Sequence, residues 1–195
     1  MNPLANLSKY EILLASGSPR RKQLLKDLCI DFKLARLIDV DESYPDDIDS
    51  LKVASYISRR KADAYKNQIT SNQLVITADT VVVNSKEVLG KPSTQKDAAV
   101  MLGKLSGKKH KVITGVTITS AEKQSAFNVI TEVEFAPLTE DEIDFYVSKF
   151  SPLDKAGAYG IQEWIGCIGV KSINGSFYNV MGLPLHRLYN ELKNF

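Results

Sequence analysis

Cysteine is scarce: Cys29 and Cys167 are the only two in 195 residues, and they form neither a CxxC pair nor a metal-ligand spacing. No disulfide framework or thiolate metal site is expected from them, and both are read as reduced core residues. Long apolar runs are also missing. No segment could span a bilayer, and the leader of residues 1–9 lacks the apolar stretch of a signal peptide, so the protein is read as cytoplasmic with no membrane partner. Nor is there an excess of charge of one sign. With 25 Lys and Arg against 23 Asp and Glu, the net charge is +2. That gives no global field for holding nucleic acid, so any cationic function must be local. Repeats, linkers and low-complexity tracts are absent. What remains is a chain 44% hydrophobic and 25% charged, enough for a full core in one domain or two closely packed lobes.

The most informative stretch is Leu13-Leu14-Ala15-Ser16-Gly17-Ser18-Pro19-Arg20-Arg21, where an apolar run stops at small residues and a cationic helix begins. Residues 10–15 read as a strand and 18–29 as a helix, with Ser18 the N-cap and Pro19 the first helical residue. Arg20, Arg21 and Lys22 in the first turn oppose the helix dipole, so an anion should compensate them. Phosphate suits the place, because backbone N–H groups, the Ser16 and Ser18 hydroxyls and two guanidinium forks can converge on it. The bland reading is a surface helix with a tolerated basic start. Arg21 shares a stripe with Leu24, Leu25 and Leu28, and so leans inward.

A second extended stretch is expected at 31–37, then an acidic loop at 38–49 holding Asp39, Asp41 and Glu42. That loop is either merely solvated or a source of oxygen ligands for a divalent metal. Residues 50–66 read as a helix with Val53, Ala54, Ile57 and Ala64 inward. Both Arg60 and Lys61 lie at the edge of its buried face, and periodicity does not choose between them. Residues 74–79 are a near-continuous apolar run typical of a strand covered on both faces. It ends at Asp79, followed by Thr80, where ligands collect in open α/β sheets. The bland reading of Asp79 is a turn-forming strand end.

Two short strands, 81–83 and 87–89, flank a hairpin turn, and Lys91 follows Gly90. Gly90-Lys91-Pro92 is not a nucleotide P-loop, since Pro92 stands where Ser or Thr is required. Further expectations are a helix at 94–105 and strands at 112–119 and 124–136. Thr139-Glu140-Asp141-Glu142 should cap a helix running to 149. His110, a lone His in a basic run, is given no catalytic role. Residues 167–172 and 176–180 read as strands around an Asn174-Gly175 hairpin turn, with a last helix after Pro184. Between them, residues 152–162 pack small residues, a lysine and an amide around two glycines, which allow close approach to a ligand.

Taken together, Leu14-Ala15-Ser16-Gly17-Ser18-Pro19-Arg20-Arg21, Ala78-Asp79-Thr80, Gly90-Lys91-Pro92, Leu105-Ser106-Gly107, Thr114-Gly115-Val116 and Lys155-Ala156-Gly157-Ala158-Tyr159-Gly160-Ile161-Gln162 resemble the Maf (septum formation inhibitor) family of nucleoside triphosphate pyrophosphatases. The resemblance covers about residues 12–188. It implies a single Maf-like α/β domain over 1–195, with a mixed, strongly twisted central sheet flanked by helices and two lobes with a cleft between them, as in the inosine triphosphatase-like folds. It also implies hydrolysis of a nucleoside triphosphate to the monophosphate and pyrophosphate, with magnesium or manganese as cofactor. By resemblance, Ser16, Ser18, Arg20 and Arg21 bind phosphates, Glu42 and Asp79 serve metal and water, and Lys61 and Lys91 neutralise phosphate charge. Thr80, Gln162 and Arg20 match positions associated with base choice in the dTTP/UTP branch. The Lys155 to Gln162 motif points to that branch rather than to the methyl-GTP one. Glu163-Trp164-Ile165 departs from the family pattern of Gly and small residues after Gln162. Homodimers are implied as well.

Two rival classes make different predictions. A regulatory protein of septum formation would bind nucleotide without turnover. A nucleic-acid binder using Arg59-Arg60-Lys61 and residues 108–111 would lose affinity steeply with salt, and the near-neutral total charge argues against it.

Overall fold

The computed structural model describes residues 3–195, and Met1 and Asn2 of the leader lie outside them. In chain order the elements are β1 (Glu11–Leu14), α1 (Pro19–Asp27), β2 (Lys33–Leu34), α2 (Val53–Asp63), β3 (Gln73–Asn84), β4 (Glu87–Leu89), α3 (Gln95–Leu105), β5 (Lys109–Thr119), β6 (Gln124–Phe135), α4 (Glu140–Phe150), α5 (Trp164–Gly169), β7 (Val170–Asn174), α6 (Phe177–Met181) and α7 (Leu185–Lys193). The strands form one mixed sheet in the order β2-β1-β3-β5-β6-β7, with β4 paired to β3. β1 runs parallel to both β2 and β3, whereas β3–β4 and β6–β7 are antiparallel. This is the expected α/β architecture of a central sheet flanked by helices.

The chain divides into two compact units, Met1–Asp79 with Thr114–Val129 and Gly182–Phe195, and Thr80–Ile113 with Ile130–Met181. In the first, Leu14, Leu24, Leu25, Leu74, Ile76 and Ile118 are fully buried. The leucines of α1 recur at helical spacing and those of β1 and β3 lie in apolar strand runs, so local pattern and burial agree. The second unit is built around Leu102, Leu105, Phe135, Tyr146 and Ile165. Two of its helices, α3 and α4, start where the sequence places them. Thr94 with Asp97, and Thr139 with Glu142, form reciprocal capping boxes that pair the first amides of α3 and α4. His110 is core rather than surface: it packs edge-on against Phe135 and Tyr159, and its Nε2 shares a 2.8 Å hydrogen bond with the Tyr159 hydroxyl.

Several expectations are corrected. Asp79 does not end its strand, because Thr80 to Val83 keep the β-branched pattern and β3 runs on to pair with β4. The stretch at 31–37 yields only the two exposed residues of β2. On α2 it is Ala62, not Ala64, that is fully buried. Cys29 and Cys167 are free but exposed, not core. Cys29 follows the C-cap of α1 with φ 53°, outside the helix's apolar stripe.

Residues 167–169 belong to α5, not to a strand, since a short apolar run with Gly166 and Gly169 suits either state. The helix wins because it packs backbone to backbone: a Cβ at Gly166 would lie 1.9 Å from the Ile161 carbonyl oxygen. Residues 177–181 form α6, so no hairpin exists at Gly175. Thr131 Oγ1 accepts from the Ser176 N–H at 3.0 Å and from buried Asn179 Nδ2 at 2.9 Å. These tertiary bonds override the strand propensity of Phe177 and Tyr178. Gly175 (φ 131°) is needed there, because a Cβ would meet Thr131 Oγ1 at 2.7 Å.

Candidate active site

In the first unit the site begins where β1 stops. Leu14 pairs with Ile76, and the Ala15 N–H donates to the Ile76 carbonyl at 2.9 Å, so β3 has no β1 partner beyond that point. Arg21 takes the strand's place. Its Nη1 donates to the Ala78 carbonyl at 2.8 Å and its Nε to the Gly182 carbonyl at 2.8 Å. The inward lean read from the leucine stripe is therefore a structural fact: one half-buried guanidinium fixes the backbone immediately before Asp79. Burial, with the Arg20 charge adding to it, holds the Arg21 pKa below its ordinary value, and the negative charges of Asp79 and Glu42 oppose that shift only in part. Ser18 caps α1 by accepting from the Arg21 N–H at 3.4 Å, and Ser16 Oγ accepts from the Ser18 N–H at 3.2 Å. Arg20, Arg21, Ser16 and Ser18 thus share one helix N-terminus, the place where an anion is favoured.

Asp79 is buried, and its Oδ1 accepts from Lys61 Nζ at 2.8 Å. The same ammonium lies 2.9 Å from Glu42 Oε1, so Lys61 is bracketed by the two carboxylates that the resemblance assigns to metal and water. Arg60, which periodicity left equal to Lys61, turns instead to the Ser43 carbonyl at 3.1 Å and to Asp41 at 3.6 Å.

The choice follows from how α2 is seated. The buried Thr77 hydroxyl donates to the Ser58 carbonyl at 2.7 Å, and Ser58 Oγ pairs with Thr117 Oγ1 at 3.0 Å. Lys61 lies three residues on from Ser58 along α2, and Asp79 two residues on from Thr77 along β3. The helical and strand periods therefore put both pairs on the same two facing surfaces. Close approach is possible only because Gly115 faces α2, where a Cβ would lie 2.4 Å from the Ala54 backbone.

Whether Glu42 and Asp79 suit a metal can be judged from their chemistry. Among the described residues no group of three or more His, Cys, Asp or Glu side chains could cage an ion. Glu42 and Asp79 share the Lys61 ammonium, and two carboxylates that near each other would suit a magnesium-like ion drawing its remaining ligands from water and substrate phosphates.

The second unit carries the other assigned residues. Thr80 is half-buried on β3 and Lys91 is exposed after β4. The Gly90 carbonyl accepts from the Gly157 N–H at 3.0 Å, which ties the Lys91 loop to the glycine-containing segment. Gly157 (φ 67°) is required for that approach, since its Cβ would lie 2.7 Å from Val82 Cγ2. Gln162 is exposed at the third position of a turn that the Glu163 N–H closes onto the Gly160 carbonyl at 2.9 Å.

Sequence reasoning gave no role to the groups behind that turn. Lys155 is buried, with its Nζ 3.0 Å from Glu163 Oε1 and 2.8 Å from Asp154 Oδ1. The Tyr146 hydroxyl donates to Glu163 Oε2 and accepts from the Gly160 N–H at 3.1 Å. Burial, with Glu163 adding to it, raises the Tyr146 pKa well above its ordinary value. The lysine inside an apolar, glycine-containing stretch was the available signal for Lys155, whereas Tyr146 is one aromatic among many.

Comparison with known proteins identifies the family. The profile of the Maf-like protein family matches residues 11–195. A protein of Bacteroides thetaiotaomicron named dTTP/UTP pyrophosphatase is 56% identical over 97% of this chain and 98% of its own length. Proteins of the same name from Parabacteroides distasonis and Porphyromonas gingivalis are 55% and 51% identical, over 98% of this chain and 100% and 98% of theirs. Among solved structures, a HAM1 protein from Coxiella burnetii is a distant likeness, at 16% identity and a TM-score of 0.47 over 95% of this chain and 100% of that one. With a signature that spans α1, β3 and the Gln162 turn, and with relatives more than half identical from end to end, this chain belongs to the Maf-like protein family.

Proposed function

We propose that the chain is a nucleoside triphosphate pyrophosphatase that hydrolyses dTTP and UTP to the monophosphate and pyrophosphate. The observation that carries this reading is the Lys61 ammonium set 2.8 Å from Asp79 and 2.9 Å from Glu42, in the same unit as the cationic N-terminus of α1. The names of the relatives more than 50% identical support it.

Asp79 is the group that takes the proton of the attacking water. Water oxygen bonds to the α-phosphorus, the bond from that phosphorus to the α,β-bridging oxygen breaks, and pyrophosphate leaves with the bond's electron pair. Ser16, Ser18, Arg20 and the α1 amides bind the phosphates, while Arg21 holds the backbone before Asp79 and adds its charge to the cradle. Lys61 offsets negative charge that builds on the phosphates, and the family resemblance assigns the same task to Lys91. Glu42 and Asp79 would hold a divalent cation, magnesium or manganese, which supplies Lewis-acid polarisation of phosphoryl oxygens when bound. The family resemblance assigns base selection to Thr80, Gln162 and Arg20. Two free cysteines suit a reducing compartment, and we place the protein in the cytoplasm. Among the described residues no helix is long and apolar enough to cross a membrane. A homodimer is the assembly the family resemblance leads us to propose, and light scattering in solution tests it.

The direct test is a panel of dTTP, UTP, CTP, ATP and GTP with magnesium or manganese, with products resolved by chromatography. Monophosphate and pyrophosphate from dTTP and UTP are expected. Diphosphate and inorganic phosphate would overturn the α-phosphorus assignment. Nucleotide binding without turnover would favour a regulatory role instead.

A further inference from the structure

We infer that Glu163 is a positioning residue for base selection, acting through Gln162, and that Tyr146 and Lys155 are its supports. This inference rests on the reading of Gln162 as a base-reading residue.

The turn that presents Gln162 is closed twice. The Glu163 N–H donates to the Gly160 carbonyl at 2.9 Å, and the Gly160 N–H donates at 3.1 Å to the Tyr146 hydroxyl, which in turn donates to Glu163 Oε2. Gly160 and Glu163, the first and last residues of the turn, are therefore bonded through the backbone and again through a buried tyrosine. Glu163 Oε1 is occupied by Lys155 Nζ at 3.0 Å, so both carboxylate oxygens have fixed partners. Ile161, between them, is buried in the core of the second unit, which leaves Gln162 as the turn's outward residue.

Gly160 is part of the device. A Cβ there would lie 2.8 Å from Glu163 Cδ and 3.0 Å from Gln162 Nε2. Both side chains fold over the same bare backbone, and any other residue would push them apart. An exposed glutamine on an ordinary loop would sample many rotamers and discriminate poorly, because reading a base edge requires its amide to be held in place. A doubly closed turn reduces that freedom at its backbone. The charge-assisted Glu163 bonds make the closure stronger than neutral ones would. The function of Glu163 is thus fidelity rather than chemistry.

The test is steady-state kinetics with UTP and CTP on Glu163→Ala, Glu163→Gln, Tyr146→Phe, Gln162→Ala and the Gln162→Ala/Glu163→Ala double variant, each checked for folding by thermal melting. Loss of Glu163 should lower the UTP-over-CTP ratio of kcat/KM about tenfold or more, with the loss for UTP seen mainly in KM. Glu163→Gln keeps an acceptor for Tyr146 but turns an amide NH₂ toward the Lys155 ammonium, so its ratio should lie between those of Glu and Ala. Tyr146→Phe should lower the ratio too. If Glu163 acts through Gln162, the double variant should have the ratio of Gln162→Ala alone. Should Glu163→Ala fail to fold, Glu163→Gln and Tyr146→Phe decide. A wild-type ratio in the folded Glu163 and Tyr146 variants, with a lowered ratio in Gln162→Ala, overturns the inference and leaves the Gln162 reading standing. An unchanged ratio in Gln162→Ala overturns that reading and this inference with it.

Discussion

Lys61, near the end of α2, donates to Oδ1 of Asp79 on β3 at 2.8 Å, and the same ammonium lies 2.9 Å from Glu42 Oε1. Asp79→Asn keeps an oxygen for Lys61 while removing the carboxylate proposed to accept water's proton. Folding should be preserved, and turnover should fall by roughly 10²–10⁴-fold, as on losing a general base. The check is kcat beside a melting curve; a folded Asp79→Asn protein with near wild-type turnover removes Asp79 from the mechanism.

Arg20 and Arg21 are adjacent but should behave differently. Arg21 bonds to the Ala78 and Gly182 carbonyls at 2.8 Å each, so Arg21→Ala takes a donor away from two buried backbone acceptors. It should cost about 1–3 kcal/mol of stability as well as activity. Lysine should rescue poorly, since one ammonium cannot reproduce a guanidinium's fork. Arg20→Ala should weaken triphosphate binding with little change in stability. Urea denaturation combined with KM measurement separates the two, and equal stability losses would contradict this division.

Gly115→Ala should be among the most damaging small substitutions in the first unit. Its Cβ would sit 2.4 Å from Ala54 backbone atoms, and backbone cannot turn aside as a side chain can. We expect a loss of about 3 kcal/mol or more. Turnover should also fall, because moving α2 moves Lys61 away from Asp79. A folded Gly115→Ala protein with normal activity would show that α2 is not held by this contact.

His110 supplies a pH dependence. Burial lowers its pKa from 6.5 to about 4, so the folded state holds it neutral where the unfolded chain already takes up a proton. As pH falls from about 6.5 towards 4 the unfolded state binds more protons, and stability declines with it; below about 4 this contribution flattens out. The full effect is on the order of 3 kcal/mol. Urea denaturation across that range should show a smaller decline for His110→Gln than for the wild type. Parallel profiles for the two proteins would assign the acid sensitivity to other groups.

The sequence revealed the site in proportion to how local its causes are. The cap at Ser18, the proline at 19 and the leucine stripe act within one helix, and they placed α1 and the inward lean of Arg21. Asp79 was legible as a charge at the end of an apolar run, although β3 goes on past it because Thr80 to Val83 are equally good strand residues. Lys61 could not be told from Arg60, since the hydroxyls that seat α2 come from Thr77 and Thr117, 16 and 56 residues beyond Lys61. The fates of residues 167–169 and 177–181 were hidden for the same reason: Ile161 and Thr131 decide them from outside the segment. Tyr146 gave no local sign of its bond to Glu163.

Base choice is the last prediction, and it turns on the side-chain amide of Gln162, which offers both donors and an acceptor. Uracil and thymine present an N–H between two carbonyls on their pairing edge. Cytosine presents an amino group in place of one carbonyl, so a site fitted to the first pattern leaves polar groups unpaired with the second. Unpaired polar groups are costly once water is excluded, and such a mismatch can discriminate by large factors. dTTP and UTP should therefore be preferred over CTP, with purines excluded by size. Thymine and uracil differ by one methyl group, worth only about 1–3 kcal/mol in an apolar surrounding, so these two should be separated weakly. Gln162→Ala should erode pyrimidine selectivity more than it lowers the best rate, because the phosphates and the attacking water are, in the proposed mechanism, handled by Arg20, Lys61 and Asp79. The measurement is kcat/KM for dTTP, UTP, CTP, ATP and GTP on both proteins. If CTP or GTP proved the best substrate of the unmodified protein, the base-reading role would pass from Gln162 to the Glu163-Trp164 step beside it.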